Sequence, residues 1–179
     1  YYESIVYAFE NNLFKGTGEN SFSPNSNMTR AMLVTVLYRY DGTSESFESS
    51  FSDVASTAWY RDAVAWGAAN GIVGGFGDGS FGPDADITRE QLAVILYRYG
   101  KIKDYDLSAS SSLDSFKDGN LTSSYAISAM QWASGTGLIS GKGSGILDPK
   151  GKATRAEVAA ILMRFIPIKT SKFRQEKMQ

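Results

Sequence analysis

The sequence predicts an all-α protein made of three helix–loop–helix repeats. A Thr-Arg dipeptide in front of an apolar, helix-spaced segment occurs three times, at Arg30, Arg89 and Arg155. Each of these arginines follows a proline by six residues, and each proline follows a glycine by eight residues. The arginines are 59 and 66 residues apart, so the same offsets are kept in three copies. Such fixed offsets indicate an internal repeat.

The composition limits the classes of function. The 179 residues carry a net charge of −1, so no overall positive field favours nucleic acid. The chain has no cysteine and no histidine, which excludes thiolate nucleophiles, histidine triads and the commonest transition-metal ligand. No apolar run reaches the roughly 18 residues of a membrane span. We therefore expect no nucleic-acid partner, no membrane insertion, no metal, no cofactor and no enzyme activity.

The first helix of each repeat is predicted from apolar spacing and from a stop signal. The predicted helices run from Tyr1 to Asn11, from Trp59 to Asn70 and from Ser124 to Thr136. Asn12, Gly71 and Gly137 follow them, and these residue types favour the left-handed position that ends a helix. Trp66 and Trp132 lie mid-helix on an apolar side, so we expect both side chains in the core.

The second helix of each repeat begins at a threonine cap. The hydroxyls of Thr29, Thr88 and Thr154 are placed to accept hydrogen bonds from first-turn N–H groups. Three residues later a Gln or Glu completes a capping box in the second and third copies, whereas the first copy has Met32. The helix spacing predicts a shared core of Leu33, Val36, Leu37, Leu92, Ile95, Leu96, Val158, Ile161 and Leu162.

The repeats are predicted at 1–42, 51–100 and 116–166, followed by a tail or linker at 167–179. A Phe-x-Asp lead-in precedes the first helix of the second and third repeats, at Asp53 and Asp118. Its counterpart in the first repeat would fall before Tyr1. We therefore expect the first repeat to be truncated at its front, which favours a chain cut from something larger.

Two serine-rich connectors separate the repeats, and we predict both as surface loops. The longer one, from Lys101 to Ser115, is expected to be mobile. Each repeat alone has two short helices and cannot bury both apolar faces, so the repeats must pack on one another. Three units could stack as a solenoid or close into a pseudo-threefold bundle. With only three units and no polar capping repeats, closure is favoured.

The ordered pattern of the second repeat resembles an S-layer homology repeat. The resemblance rests on Phe51-x-Asp53, Trp59, Ala63-Val64, Trp66, Asn70-Gly71-Ile72, Gly75, Gly79-x-Phe81-x-Pro83 and Ile87-Thr88-Arg89. The other copies match more loosely, and the three together cover nearly the whole chain. The third copy departs from the pattern with Leu147 for the loop phenylalanine and Tyr125 for the first tryptophan.

The resemblance implies a pseudo-trimeric helical bundle with ligand grooves between adjacent repeats. It implies an exported bacterial protein that is held non-covalently at the cell wall or S-layer by secondary cell-wall polysaccharide. In many members the recognised sugar is pyruvylated, and its ketal carries a carboxylate. Other surface-layer subunits are expected as partners through the parent protein. The alternative function is a structural or protein-assembly domain that binds no glycan.

Arg30, Arg89 and Arg155 are the first candidate ligand-binding residues. A cation in the first turn opposes the helix dipole but is suited to holding an anion. The resemblance makes the same arginine a key contact with the polysaccharide. The alternative is a structural ion pair with the neighbouring repeat. Arg89 and Arg155 rank above Arg30, because their copies keep both the lead-in aspartate and the capping box.

The remaining candidates have a structural and a ligand-binding interpretation. Asp53 and Asp118 could cap the first helices or accept from sugar hydroxyls, and Trp59 could line a groove. Gly74 and Gly75 allow either close ligand approach or positive φ in a turn. A second set of arginines, nine residues after the first, lies near the helix C-termini. A cation there complements the dipole, so we predict a structural role for Arg39, Arg98 and Arg164.

Overall fold

The computed structural model describes residues 1–18 and 21–166. This part of the chain folds into six α-helices and three short 3-10 helices, without a β-sheet, so the all-α prediction is confirmed. The α-helices are α1 (Tyr2–Glu10), α2 (Arg30–Asp41), α3 (Arg61–Ala69), α4 (Arg89–Ile102), α5 (Ile127–Gly135) and α6 (Arg155–Phe165). The 3-10 helices are Leu113–Ser115, Gly119–Leu121 and Ser124–Ala126. The predicted tail at 167–179 lies outside the described residues.

The first helices are shorter than predicted but end as predicted. α3 begins at Arg61, because Trp59 belongs to a turn in which the Arg61 N–H donates to the Ala58 carbonyl. Each first helix is followed by a residue with positive φ: Asn12 at 55°, Gly71 at 67° and Gly137 at 73°. The left-handed stop signals are therefore confirmed.

The threonine caps of the second helices are confirmed. In α2, α4 and α6 the threonine hydroxyl accepts from the backbone N–H three residues later. The Gln91 side chain accepts in return from the Thr88 N–H at 3.1 Å, and the Glu157 side chain accepts from the Thr154 N–H at 2.8 Å. The thioether of Met32 has no equivalent acceptor for the Thr29 N–H, so the first repeat has a single-sided cap.

The helices pack between repeats in a cycle. α2 packs on α3 of the second repeat, α4 packs on α5 of the third, and α6 returns to pack on α1 of the first. The nine core residues predicted from the second helices are all buried in one cluster, together with Trp66 and Trp132. The predictions of a shared core and of two core tryptophans are therefore confirmed.

Backbone hydrogen bonds also join the three repeats in a cycle, immediately before the second helices. Met28 N–H donates to the Ala153 carbonyl at 2.9 Å, Ala153 N–H to Ile87 at 3.0 Å, and Ile87 N–H to Met28 at 2.8 Å. An open solenoid would not bring its first and third units together. Pseudo-threefold closure of the bundle stays a prediction.

The longer connector is anchored to the core, contrary to the expectation of a freely mobile loop. Tyr105 is buried, with its ring centroid 5.5 Å from that of Phe165 and 6.2 Å from that of Tyr99. Leu113 is buried as well, and the Ser111 N–H donates to the Gln131 carbonyl at 3.0 Å. The serine-rich composition concealed these two apolar anchors. Within residues 1–18 and 21–166, every helix is too short or too polar to span a bilayer.

Candidate ligand-binding grooves between the repeats

Three grooves lie where adjacent repeats meet. Each one combines an arginine from the preceding repeat, the glycine-containing loop and second helix of the central repeat, and an aromatic side chain from the following repeat. Groove A, of about 360 Å³, includes Arg30, Gly74, Gly75, Gln91, Arg98 and Tyr125. Groove B, of about 460 Å³, includes Arg155, Lys15, Gly16, Met32, Arg39 and Trp59. Groove C, of about 180 Å³, includes Arg89, Ser140, Gly141, Glu157, Arg164 and Tyr1.

The arginines of the Thr-Arg pairs form the inner walls of these grooves. Arg30, Arg89 and Arg155 are each 5% exposed. Arg30 donates through Nε to the Phe81 carbonyl at 2.9 Å and through Nη2 to the Gly74 carbonyl at 2.8 Å. Arg89 makes the same pair of bonds with carbonyls of the third repeat, and Arg155 with carbonyls of the first. Each guanidinium therefore ties one repeat to the next.

These arginines have no carboxylate partner at ion-pair distance within the described residues. The alternative role for these arginines was a structural ion pair with the neighbouring repeat. It is wrong, because their partners are backbone carbonyls and not carboxylates. Burial lowers the pKa of Arg30, Arg89 and Arg155 from the usual arginine value. A guanidinium carries five N–H donors, and the two carbonyl bonds use only two of them. A buried positive charge with unused donors at a groove wall favours an anionic ligand.

Aromatic rings hold two of the three buried guanidinium groups. Arg30 lies over the rings of Phe76 and Phe81, at 4.8 and 4.7 Å from their centroids. Arg155 lies in the same way over Phe14 and Phe22, at 5.1 and 4.7 Å. In the third repeat Leu147 replaces the loop phenylalanine, and Arg89 has no such ring contact in the described structure. Grooves A and B thus share a buried arginine that lies over two aromatic rings, and groove C lacks this arrangement in the described structure.

The second set of arginines lies in the grooves, which sequence reasoning missed. Arg98 and Arg39 are exposed, line grooves A and B, and make no hydrogen bond or ion pair with any described residue. Arg164 lines groove C, where its Nη2 donates to the Leu138 carbonyl at 2.9 Å. The structural role predicted for Arg39, Arg98 and Arg164 stays a prediction, and their place in the grooves makes them additional ligand-binding candidates. The spacing of Gln91, Val94, Ile95 and Arg98, which places them on one helix face, was the signal for this groove wall.

Asp53 and Asp118 do not cap helices, and they do not line the grooves. The Asp53 carboxylate accepts from the N–H groups of Phe81 and Gly82 at 2.8 and 2.7 Å. Asp118 accepts in the same way from the two N–H groups after Ile146, both at 2.7 Å. Although burial alone raises the pKa of Asp53, its two backbone hydrogen bonds hold that pKa below the usual value. The lead-in aspartate thus fixes the loop whose carbonyls hold the buried arginine.

Three sequence-predicted candidates remain, and each has a different structural setting. Trp59 is 62% exposed and lines groove B, opposite Arg155. Gly74 supplies a carbonyl to Arg30, so its contact within groove A is already a structural one. A Cβ on Gly75 would lie 2.3 Å from the Ser80 carbonyl oxygen, which explains the glycine by close backbone approach. Tyr125, thirty residues before Arg155 as Trp59 is before Arg89, was missed as a groove residue.

The described part of the chain contains no cluster of acidic side chains that could hold a metal ion. The groove walls instead offer cationic N–H donors, backbone carbonyls and exposed aromatic faces. This set of groups is suited to binding an anionic, hydroxylated ligand.

A model of the S-layer homology domain matches residues 1–31, 50–93 and 115–159. The chain belongs to the S-layer homology family. The three matched segments agree with three tandem repeats, while the predicted repeat boundaries stay predictions.

Relatives of the S-layer homology chain are large proteins. It is 30% identical over 84% of its length to an amylopullulanase of Thermoanaerobacterium thermosulfurigenes, and 31% identical over 84% to the exoglucanase XynX of Acetivibrio thermocellus. It is 27% identical over 92% of its length to a surface-layer 125 kDa protein of Lysinibacillus sphaericus. The chain spans only 8, 14 and 14% of these three relatives, so their names describe much longer proteins.

Proposed function

We propose that this S-layer homology domain anchors an exported bacterial protein non-covalently to the cell wall, by binding an anionic secondary cell-wall polysaccharide in the grooves between its repeats. Its membership of the family and its surface-layer relatives support a location at the cell surface. The activity of the whole protein, whether enzymatic as in some relatives or purely structural, resides elsewhere in this proposal.

One observation carries the proposal. Grooves A and B each contain an exposed arginine and a buried arginine, and among the described residues the first has no hydrogen-bond partner and the second has no carboxylate partner. The exposed guanidinium of Arg98 or Arg39 offers the two-pronged donor geometry that suits a carboxylate. A pyruvate ketal presents such a carboxylate on a rigid sugar. Trp59 in groove B and Tyr125 in groove A supply an apolar face for the sugar ring.

The three grooves are not equal in this proposal. Groove C has the smallest volume and contains the carboxylate of Glu157, with the Lys142 ammonium nearby at 3.8 Å. Its exposed arginine already donates to a carbonyl. We therefore rank grooves A and B above groove C, which places Arg30 and Arg155 above Arg89. This ranking replaces the one drawn from the sequence.

Sedimentation with purified cell walls tests the proposal against the protein-assembly alternative. The domain should sediment with walls and should be released by extracted wall polysaccharide. Polysaccharide from which the pyruvate ketals have been removed by mild acid should compete poorly. If the domain sediments equally with walls stripped of polysaccharide, the glycan-binding proposal is wrong and a protein partner is favoured.

A further inference from the structure

A buried acidic residue lies next to groove A and has no counterpart at grooves B and C. The residue after the Thr-Arg arginine is Glu90 in the second repeat, whereas the first and third repeats have Ala31 and Ala156. Glu90 is only 3% exposed. A carboxylate at such depth is costly unless donors surround it. Its presence in only one of three copies suggests a function specific to that groove.

Four donors from the third repeat converge on the Glu90 carboxylate. The N–H and the hydroxyl of Ser123 both donate at 2.9 Å, and the Lys150 ammonium lies at 2.6 Å. The hydroxyl of Tyr125 donates at 3.2 Å. Burial alone raises the pKa of Glu90, but the bonds from Lys150 and Ser123 outweigh it and hold that pKa below the usual value. The Glu90 carboxylate is therefore ionised at neutral pH, and both of its oxygens accept hydrogen bonds.

Tyr125 is the member of this cluster that reaches the groove. It is 56% exposed and lines groove A beside Arg98. Because its single proton is donated to Glu90, its phenolic oxygen has only acceptor capacity left for a ligand. Trp59, the aromatic side chain of groove B, has no hydrogen bond to any described residue. The aromatic side chain of groove A is thus held by a hydrogen bond, whereas Trp59 of groove B packs edge-on against the Tyr60 ring, with 5.1 Å between the ring centroids.

We propose that Glu90 is a positioning residue that holds Tyr125 in place as a preorganised wall of groove A. Tyr125 would accept from a hydroxyl or amide N–H of the sugar while Arg98 binds its carboxylate. The inference rests on the proposed glycan binding and adds a specificity element to one groove. Fixing Tyr125 before the ligand arrives lowers the entropy lost on binding, so the tether contributes to affinity.

Groove-resolved NMR titration with a synthetic pyruvylated hexosamine tests this role. The amide resonances of Gly75 and Phe76 report groove A, and those of Gly16 and Thr17 report groove B. Glu90→Ala introduces the residue that the other repeats carry, so the fold should tolerate it. It should weaken binding in groove A by about tenfold and leave the affinity of groove B unchanged. A tenfold loss corresponds to the lower end of the free-energy range for one hydrogen bond to a charged group.

Tyr125→Phe keeps the ring but removes both the tether and the acceptor. It should weaken groove A at least as much as Glu90→Ala, and the double variant should bind no more weakly than Tyr125→Phe alone. Lys150→Met is the matched control, because it removes a bond to the same carboxylate, and Lys150 has no hydrogen bond to Tyr125 within the described residues. It should change the affinity of groove A by less than about twofold.

Three results would overturn the positioning role while the proposed function stands. The first is a Glu90→Ala variant that loses thermal stability yet binds in groove A like the wild type. The second is a fully additive loss in the double variant, since Glu90 would then act independently of Tyr125. A wild-type protein in which the sugar perturbs groove B alone also overturns the inference. If the sugar perturbs neither groove, the proposed function itself fails, and the inference fails with it.

Discussion

At the scale of single residues, the grooves divide their arginines between two tasks. Arg89 and its two counterparts lie inside the protein and hold backbone carbonyls of the next repeat. Arg98 and Arg39 are exposed in grooves A and B, and their guanidinium groups donate to none of the residues that the structure describes. The buried set therefore builds the groove wall, and the exposed set is free to meet a ligand.

Replacing a buried arginine should destabilise the protein. Arg89→Ala leaves the Leu147 and Ser140 carbonyls without their donors, so the free energy of unfolding should fall by about 1.5–3 kcal/mol. A cation in the first turn opposes the helix dipole, so the dipole alone would predict no loss of stability, but the loss of the two carbonyl bonds outweighs that effect. Urea denaturation measures the change. Arg98→Ala is the control and should stay within about 0.5 kcal/mol of the wild type.

Stability should also decline at acidic pH through three carboxylates. Asp53, Glu90 and Asp118 all have pKa values lowered by folding, through hydrogen bonds that outweigh burial. Their contribution is fully present above the unfolded-state values of about 3.9–4.3 and is lost as the pH falls through the lower folded-state values. Denaturation series at several pH values should show this loss. Asp53→Asn should flatten the acid dependence, and an unchanged curve would contradict the role of Asp53.

The sequence could reveal the buried arginines but not their partners. Their recurrence at fixed offsets marked them, and the dipole argument pointed to an anion. The carbonyls that they hold lie 44 to 140 residues away in the chain, so no local pattern contained them. The place of Arg98 in a groove was missed for the opposite reason. The helix dipole already accounts for a cation near a helix C-terminus, so the local position of Arg98 did not indicate that it lines a groove.

At the scale of helices, capping was the most predictable feature, because it depends on residues within one turn. Thr88 and Thr154 form reciprocal boxes, whereas Thr29 accepts from the Met32 N–H at 3.3 Å without a return bond. The first helices were less predictable. Their starts depend on turns such as the one at Trp59, which carries no capping side chain.

Threonine substitutions should follow this difference. Thr88→Ala and Thr154→Ala should each cost about 0.5–2 kcal/mol of unfolding free energy. Thr29→Ala should cost less, because the first repeat lacks the second bond of the box. Thermal melts of the three variants provide the comparison. Equal losses at all three sites would show that the return bonds from Gln91 and Glu157 contribute nothing measurable.

At the scale of the whole molecule, the repeats share one core and one cycle of backbone hydrogen bonds. Repetition in the sequence indicated the number of units and their apolar faces. It favoured closure over stacking only through the number of units and the lack of polar capping repeats, because both arrangements bury the same faces. The pairing of α6 with α1 and the bond between Met28 and Ala153 connect the last repeat to the first. The grooves exist only because neighbouring repeats meet in this way.

A shared core predicts cooperative unfolding. Leu96→Ala should cost about 2–5 kcal/mol, since the side chain is fully buried in the common cluster. The loss should lower the stability of all three repeats together, and amide hydrogen exchange should show faster global exchange in each of them. Faster exchange confined to the second repeat would indicate that the repeats unfold as separate units.

Exposed arginines between the repeats bind an anionic wall glycan in the proposed function. Isothermal titration calorimetry of the wild type and of the double variant Arg39→Ala, Arg98→Ala with pyruvylated wall polysaccharide tests this claim most directly. We expect the double variant to fold normally and to lose about 1.5–3 kcal/mol of binding free energy per engaged groove. A folded double variant that binds the polysaccharide with the affinity of the wild type would contradict the claim.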